Sequence, residues 1–422
     1  MTDFIIKNAR LATHDNLVDI RIKDAKITNI DKVNHAIAAD QNPQSNALKT
    51  YNDEANYDAK GHFVCSGFYE SHIHLDKACI LDRCKVEKGT LQEAVDETGK
   101  AKEGFTEADV FERASKVIEM AIKKGTVGLR TFVETDEKTQ LRSFQAIKRA
   151  QQKYAFAIDT EICAFAQSGL TTKPKTYELL QQALAQGANL IGGCPYKDEN
   201  PEQHIEMVFA LAEQFDVDVD FHLDFDLDPE GSSIPKLFEE TMKRGYQGRV
   251  SIGHVTKLSA MDKMKRGEMA GLLKMADISL IVLPATDIYI NGSDYECLIP
   301  RGTVNANPFY ELGINTTLSS NNILNAFTPY GDASLLRMAN MYANIAQLSS
   351  DKQLAAAFDM ITSNAAKLLK LNTEIEVGAN ATLVVIEAQN VIEAIRTNAQ
   401  ALAGFKNGVQ TFNNEAAEIY YR

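Results

Sequence analysis

The stretch Ser71-His72-Ile73-His74-Leu75-Asp76-Lys77 follows the apolar run Phe63-Val64-Cys65-Ser66-Gly67-Phe68. On a strand, residues i and i+2 share a face, so His72 and His74 aim two imidazoles at one point. Neutral imidazole is the commonest protein metal ligand and suits zinc or iron. The plainer alternative is two histidines on a polar loop. The rest of the chain decides between them.

Outward from this stretch, apolar strand-like segments at 63–76, 126–136, 156–168, 188–195, 217–226, 248–256, 278–287 and 313–322 alternate with amphipathic helical patterns. The helices are expected at 106–124, 139–153, 177–186, 201–215, 234–244 and 259–274, then at 332–348 and 351–369. Thr106 and Asp109 are spaced like a capping box with Asp in place of Glu. Eight strands alternating with helices predict an α/β fold, a closed (β/α)8 barrel of the TIM type. A doubly wound open sheet would show a Gly-rich turn after its first strand, and none is present. The long stretch from Ala78 to Phe105 is a candidate lid. Short strand patterns at 4–6, 18–22, 27–30 and 381–386, with a helix at 391–400, predict a small composite β domain from 1–60 and 375–422. The barrel then spans 61–374, and the polar run 39–56 reads as a surface loop.

The 422 residues suffice for such a barrel and an appended domain, and 45% are hydrophobic, enough for its core. A net charge of −13 argues against nucleic acid or an anionic membrane as partner. No apolar run is long enough to span a bilayer, and Met1 to Lys7 does not resemble a signal peptide. The six cysteines form no close-spaced framework, so a reducing cytoplasm fits best.

Of eight histidines, His14, His35, His62 and His204 lie in polar or terminal contexts and read as solvated. His72, His74, His222 and His254 fall near the C-terminal ends of the first, fifth and sixth expected strands. In a barrel those ends converge on one rim, where catalytic residues sit. Carboxylates crowd the same rim: Asp76, Glu134, Asp136, Asp218, Asp220, Asp224, Asp226 and Asp228. Some must be caps or ion partners. One is expected to move a proton or orient a ligand histidine.

These motifs resemble the amidohydrolase superfamily, and within it the cytosine deaminase-like branch. The resemblance rests on Gly67 to Lys77, Ala164-Phe165-Ala166-Gln167-Ser168-Gly169, Val219-Asp220-Phe221-His222 and Gly248 to His254. It continues through Ser320-Asn321-Asn322 and Pro329-Tyr330-Gly331-Asp332. It implies that His72, His74 and His222 hold one divalent metal, zinc or iron, with manganese also compatible. That metal would lower the pKa of a bound water and present hydroxide to an sp2 carbon bearing nitrogen. His254 would stand beside the water or substrate, and Gln167 would bond the edge of a ring amide. Binuclear relatives carry a carboxylated lysine on the fourth strand. Here Ala188 to Pro195 has none, and Lys197 just beyond reads as a loop residue, so one metal is expected.

Two departures stand out. The branch has an aspartate where this chain has Asn321, which can offer an oxygen to the metal but cannot accept a proton. Phe225 stands where cytosine deaminase has a glutamate. A proton shuttle rebuilt from His254 and Asp226, or Asp224, is therefore expected. Phe132 and Arg301 are candidate substrate contacts, though Phe132, like Phe165, Phe225 and Tyr289, also suits core packing and Arg301 a local acid. The function that follows is hydrolysis of C–N bonds in a small cyclic amidine, cyclic amide or amino-substituted heterocycle. A non-hydrolytic relative that binds a small ligand or partner is the alternative. The helix around 337–345 offers core packing or a homo-oligomer contact.

Overall fold

The computed structural model describes residues 4–33 and 56–414. His35 and most of the polar run 39–56 lie outside them. Near the N-terminus, β1 (Phe4–Ala9), β2 (Val18–Lys23), β3 (Lys26–Lys32) and β4 (Asn56–Asp58) form a four-stranded sheet in the order β3-β2-β1-β4. Strict alternation builds it: Val18, Ile20 and Ile22 point inward while Arg21 and Lys23 face solvent. Strand β5 (Phe63–Cys65) pairs instead with a second sheet from the other end of the chain.

The chain turns at Gly67, where φ is +87°. A side chain there would be strained by that φ and would meet Val127 at 2.8 Å. The barrel follows: β6 (Phe68–Ile73), β7 (Thr126–Glu134), β8 (Asp159–Ala166), β9 (Leu190–Gly193), β10 (Asp218–Leu223), β11 (Val250–His254), β12 (Ser279–Val282) and β13 (Thr316–Leu318). All eight are parallel and stand in sequence order, with helices between them, so no strand order doubles back. A parallel bridge between Ile73 and Asn321 brings the last strand round to the first. Asn321 donates its backbone N–H to His72 (2.9 Å), and its carbonyl accepts from His74 (2.8 Å).

The final strands, β14 (Leu383–Ile386), β15 (Ala401–Lys406) and β16 (Val409–Asn413), join β5 in the order β16-β15-β14-β5. The two terminal sheets share one apolar cluster, including Ile6, Ile20, Leu383, Val385 and Phe405. Among the described residues, no helix is long and apolar enough to cross a membrane.

Three expectations need correction. The segment 63–76 is two strands in different sheets, because Gly67 redirects the chain. The segment 278–287 is a strand only to Val282; Pro284 then opens a helix, Pro284–Ile290, as proline's fixed φ favours at a first helical position. His204 is not solvated. It lies on the inner face of the helix Pro201–Phe215, fully buried, with Nδ1 2.8 Å from Asp198. Gly193 makes room for it, since a Cβ there would lie 2.1 Å from the ring.

Candidate active site

At the C-terminal rim, His72 Nε2 lies 3.1 Å and His74 Nε2 2.8 Å from His222 Nε2. The three donor atoms fall within 4.8 Å of one another. All three rings are buried. Burial holds their pKa values well below the usual histidine range, and nearby positive charge, Lys77 included, adds to the effect. They are neutral imidazoles whose lone pairs crowd one point. Nothing among the described residues partners the three Nδ1 atoms, so the rings are held by packing rather than by hydrogen bonds to their outer nitrogens. The buried Oδ1 of Asn321 also lacks a partner. Three imidazoles and an amide oxygen fit a single divalent ion.

An aromatic plate fixes the rings. Phe132 stacks 4.1 Å from His72 and Phe165 4.3 Å from His222, centroid to centroid, and the two phenyls meet edge-on at 5.2 Å. Phe132 is fully buried among Phe165, Cys163, Leu190 and Cys194. Its position corrects the expectation of a substrate contact: it supports the histidines.

His254 ends β11 with φ +68°, and Val255 follows at +50°. Such values are rare for a β-branched residue and mark strain at a functional position. The ring is held between two groups. Its Nδ1 lies 2.7 Å from Asp287 Oδ1, and its Nε2 3.3 Å from Asn321 Nδ2. Asp287 is buried, which raises its pKa, while His254 pulls it back. Phe225 closes edge-on against His254 at 4.3 Å.

Asp287 replaces the carboxylates expected to serve His254. Strand β10 stops at Leu223, and Asp224 turns with φ +49°, so alternation fails beyond it. Asp226 is about half exposed and pairs with Lys257 at 2.6 Å. Asp224 accepts from Ser232 Oγ (2.5 Å) and the Ser233 N–H (3.0 Å), just before the helix Ile234–Arg244. Arg301 is exposed and donates to the Ile345 carbonyl at 2.6 Å, away from the cavity lining. Asp287 was missed because its segment looked like strand; Pro284 three residues earlier is the signal that marks a helix.

A second polar chain flanks the histidines. Lys77, 2% exposed, donates to Glu134 Oε1 (2.8 Å) and Gln167 Oε1 (3.1 Å). Gln167 Nε2 lies 3.2 Å from Cys194 Sγ. Buried Lys102 pairs with both Glu134 and Asp136. Burial opposes the Glu134 charge, but Lys102 and Lys77 overcome it and hold its pKa at about 2. Asp76, buried and beside Glu134, is pushed up to about 6.

His74, His222, His254, Asn321 and Gln167 line one cavity of about 20 Å³, enough for one water. Leu91 and Val95 of the helix Leu91–Ala101 also line it. This helix lies in the segment from Ala78 to Phe105. Larger clefts of about 470 and 440 Å³ at the seam between barrel and terminal sheets share no residue with this site.

The amidohydrolase family model matches residues 98–412, well over half of the chain. An N-isopropylammelide isopropyl amidohydrolase from Pseudomonas sp. (strain ADP) is 28% identical over 416 residues, covering 96% of each protein. A pterin deaminase from Rhizobium rhizogenes is 23% identical, covering 79% of this chain and 77% of that protein. The crystal structure of 5-methylcytosine deaminase from Klebsiella pneumoniae superposes with a TM-score of 0.90 at 27% identity, covering 99% of both chains. The chain belongs to the amidohydrolase family.

Proposed function

We propose that the protein is a hydrolase dependent on one divalent metal, zinc, iron or manganese, and cleaves a C–N bond of an amino-substituted N-heterocycle, cyclic amide or cyclic amidine. The observation that carries this is the convergence of three neutral imidazoles beside the His254–Asp287 pair. The similarity to two deaminases and an amidohydrolase supports it.

His72, His74, His222 and the Asn321 amide oxygen would hold the metal, which when bound acidifies a water molecule. The chain's own residues do the rest. His254 donates its Nδ1 proton in the bond to Asp287, which makes Nε2 the acceptor; its lone pair takes the Asn321 Nδ2 hydrogen bond at rest and exchanges it for the proton of the attacking water. The Asp287 carboxylate stabilises the resulting imidazolium. His254 then returns the proton to the departing nitrogen. Asn321 Nδ2 keeps the ring aligned. Gln167, anchored by Lys77, meets the substrate edge. The six free cysteines suit a reducing cytoplasm.

The test is ammonia release from cytosine and aminotriazines by metal-loaded protein. Asp287→Asn is expected to lower kcat about 10²–10⁴-fold, the usual worth of general base catalysis, with bound metal unchanged. One observation favours a second reading, binding without turnover: Asn321 cannot accept a proton. Saturable binding with no product from any substrate would establish it.

A further inference from the structure

We infer that the substrate carries an anionic substituent, a carboxylate on its ring, and that Lys197 receives it in the lining of the active-site cavity. This rests on the proposed function and names the class of substrate that site takes.

The carboxylates behind the cavity lining, Glu134 and Asp287, are already paired with Lys77 and His254. The lining itself contains two lysines, Lys77 and Lys197, and no carboxylate. The expected metal donors add no negative charge either, being three imidazoles and an amide. The buried Lys77 is matched by Glu134. Lys197 is not matched: its ammonium has no ion pair or hydrogen-bond partner among the described residues. Other enclosed cations do have carboxylates. Lys102 has Glu134 and Asp136, Arg130 has Asp220 and Glu161, and Lys406 has Asp159.

The acids nearest Lys197 are already committed. Asp198, the next residue, accepts from the Leu170 N–H (2.5 Å), the Thr171 N–H (3.0 Å) and His204 (2.8 Å). Asp226 is held by Lys257. The backbone of Lys197 is fixed by the turn Pro195–Lys197 that follows β9, with its N–H on the Cys194 carbonyl at 3.0 Å. Lys197 is therefore a positioned, half-buried and uncompensated cation in the lining of this small cavity. A charge-assisted bond from such a group to a carboxylate is among the stronger polar contacts available to a ligand. Lys197 is partly exposed where the histidines are buried, which assigns it to a substituent rather than to the reacting carbon.

Calorimetric titration of the full-length protein, incubated with zinc, tests this with cytosine and cytosine-5-carboxylate as probes. Because the readout is equilibrium binding, a probe that binds but releases no ammonia counts against the hydrolytic reading and not against this one. The carboxylate is expected to bind at least ~10-fold more tightly than cytosine. Lys197→Met should erase that margin and Lys197→Arg should keep it, with zinc content and thermal midpoint unchanged in both. Three results would overturn the inference: equal or tighter binding of cytosine, the same ratio of Kd values in Lys197→Met, or binding of neither probe at millimolar concentration.

Discussion

Asn321 joins the metal donors to the proton-accepting pair. Its φ of +60° is a conformation that asparagine tolerates better than most residues. Its backbone ties β6 to the end of the barrel, and its amide reaches His254. Asn321→Asp would add an anionic oxygen to a neutral donor set. Zinc affinity, measured against a competing chelator, is expected to rise on the order of 10-fold or more. The same residue shows what a sequence can disclose. The four rim histidines were legible because strand alternation and strand ends fix where they point. Asp287 was not, because the identity of its segment turned on a proline whose helix began inside an apolar run. Asp226 was misplaced because the strand ended three residues before it.

At the scale of elements, the C-terminal end of the helix Leu91–Ala101 is held by two carboxylates, one of them shared between two lysines. Thr90 caps this helix through the Glu93 N–H (3.3 Å), and the helix ends at Lys102, whose ammonium is pinned to Glu134 and Asp136. Nothing local in the sequence shows this clamp, since its partners are some thirty residues away and meet only when the barrel forms. The pKa of Glu134 in the fold, about 2, lies below its ordinary 4.5. Its stabilising contribution is therefore complete above pH 4.5 and is lost as the pH falls towards 2. Glu134→Gln should cost about 3–5 kcal/mol at pH 7, because it leaves buried ammonium groups short of a countercharge. Urea unfolding at pH 7 and pH 3 should show the variant losing less stability across that interval than the parent. An equal loss in both would remove Glu134 as the source.

Across the whole molecule, the terminal sheets share an apolar core of their own, while the other face of β5 and β14, with Phe63, Cys65, Val384 and Ile386, packs into the barrel's core; the histidines are positioned by the barrel. The eightfold alternation of strand and helix was legible from period and length. The junction was less so, because the apolar run 63–68 gives no sign that Gly67 divides two sheets until its φ is known. Phe405→Ala, in the core of the terminal sheets, should cost about 3–5 kcal/mol by denaturant titration yet leave metal content per chain unchanged. The most direct measurement is elemental analysis of the purified protein alongside His72→Ala and His222→Ala. About one divalent transition metal per chain is expected in the parent and a large loss in both variants. A parent protein that stays metal-free after incubation with zinc, iron and manganese would contradict the metal-dependent chemistry outright.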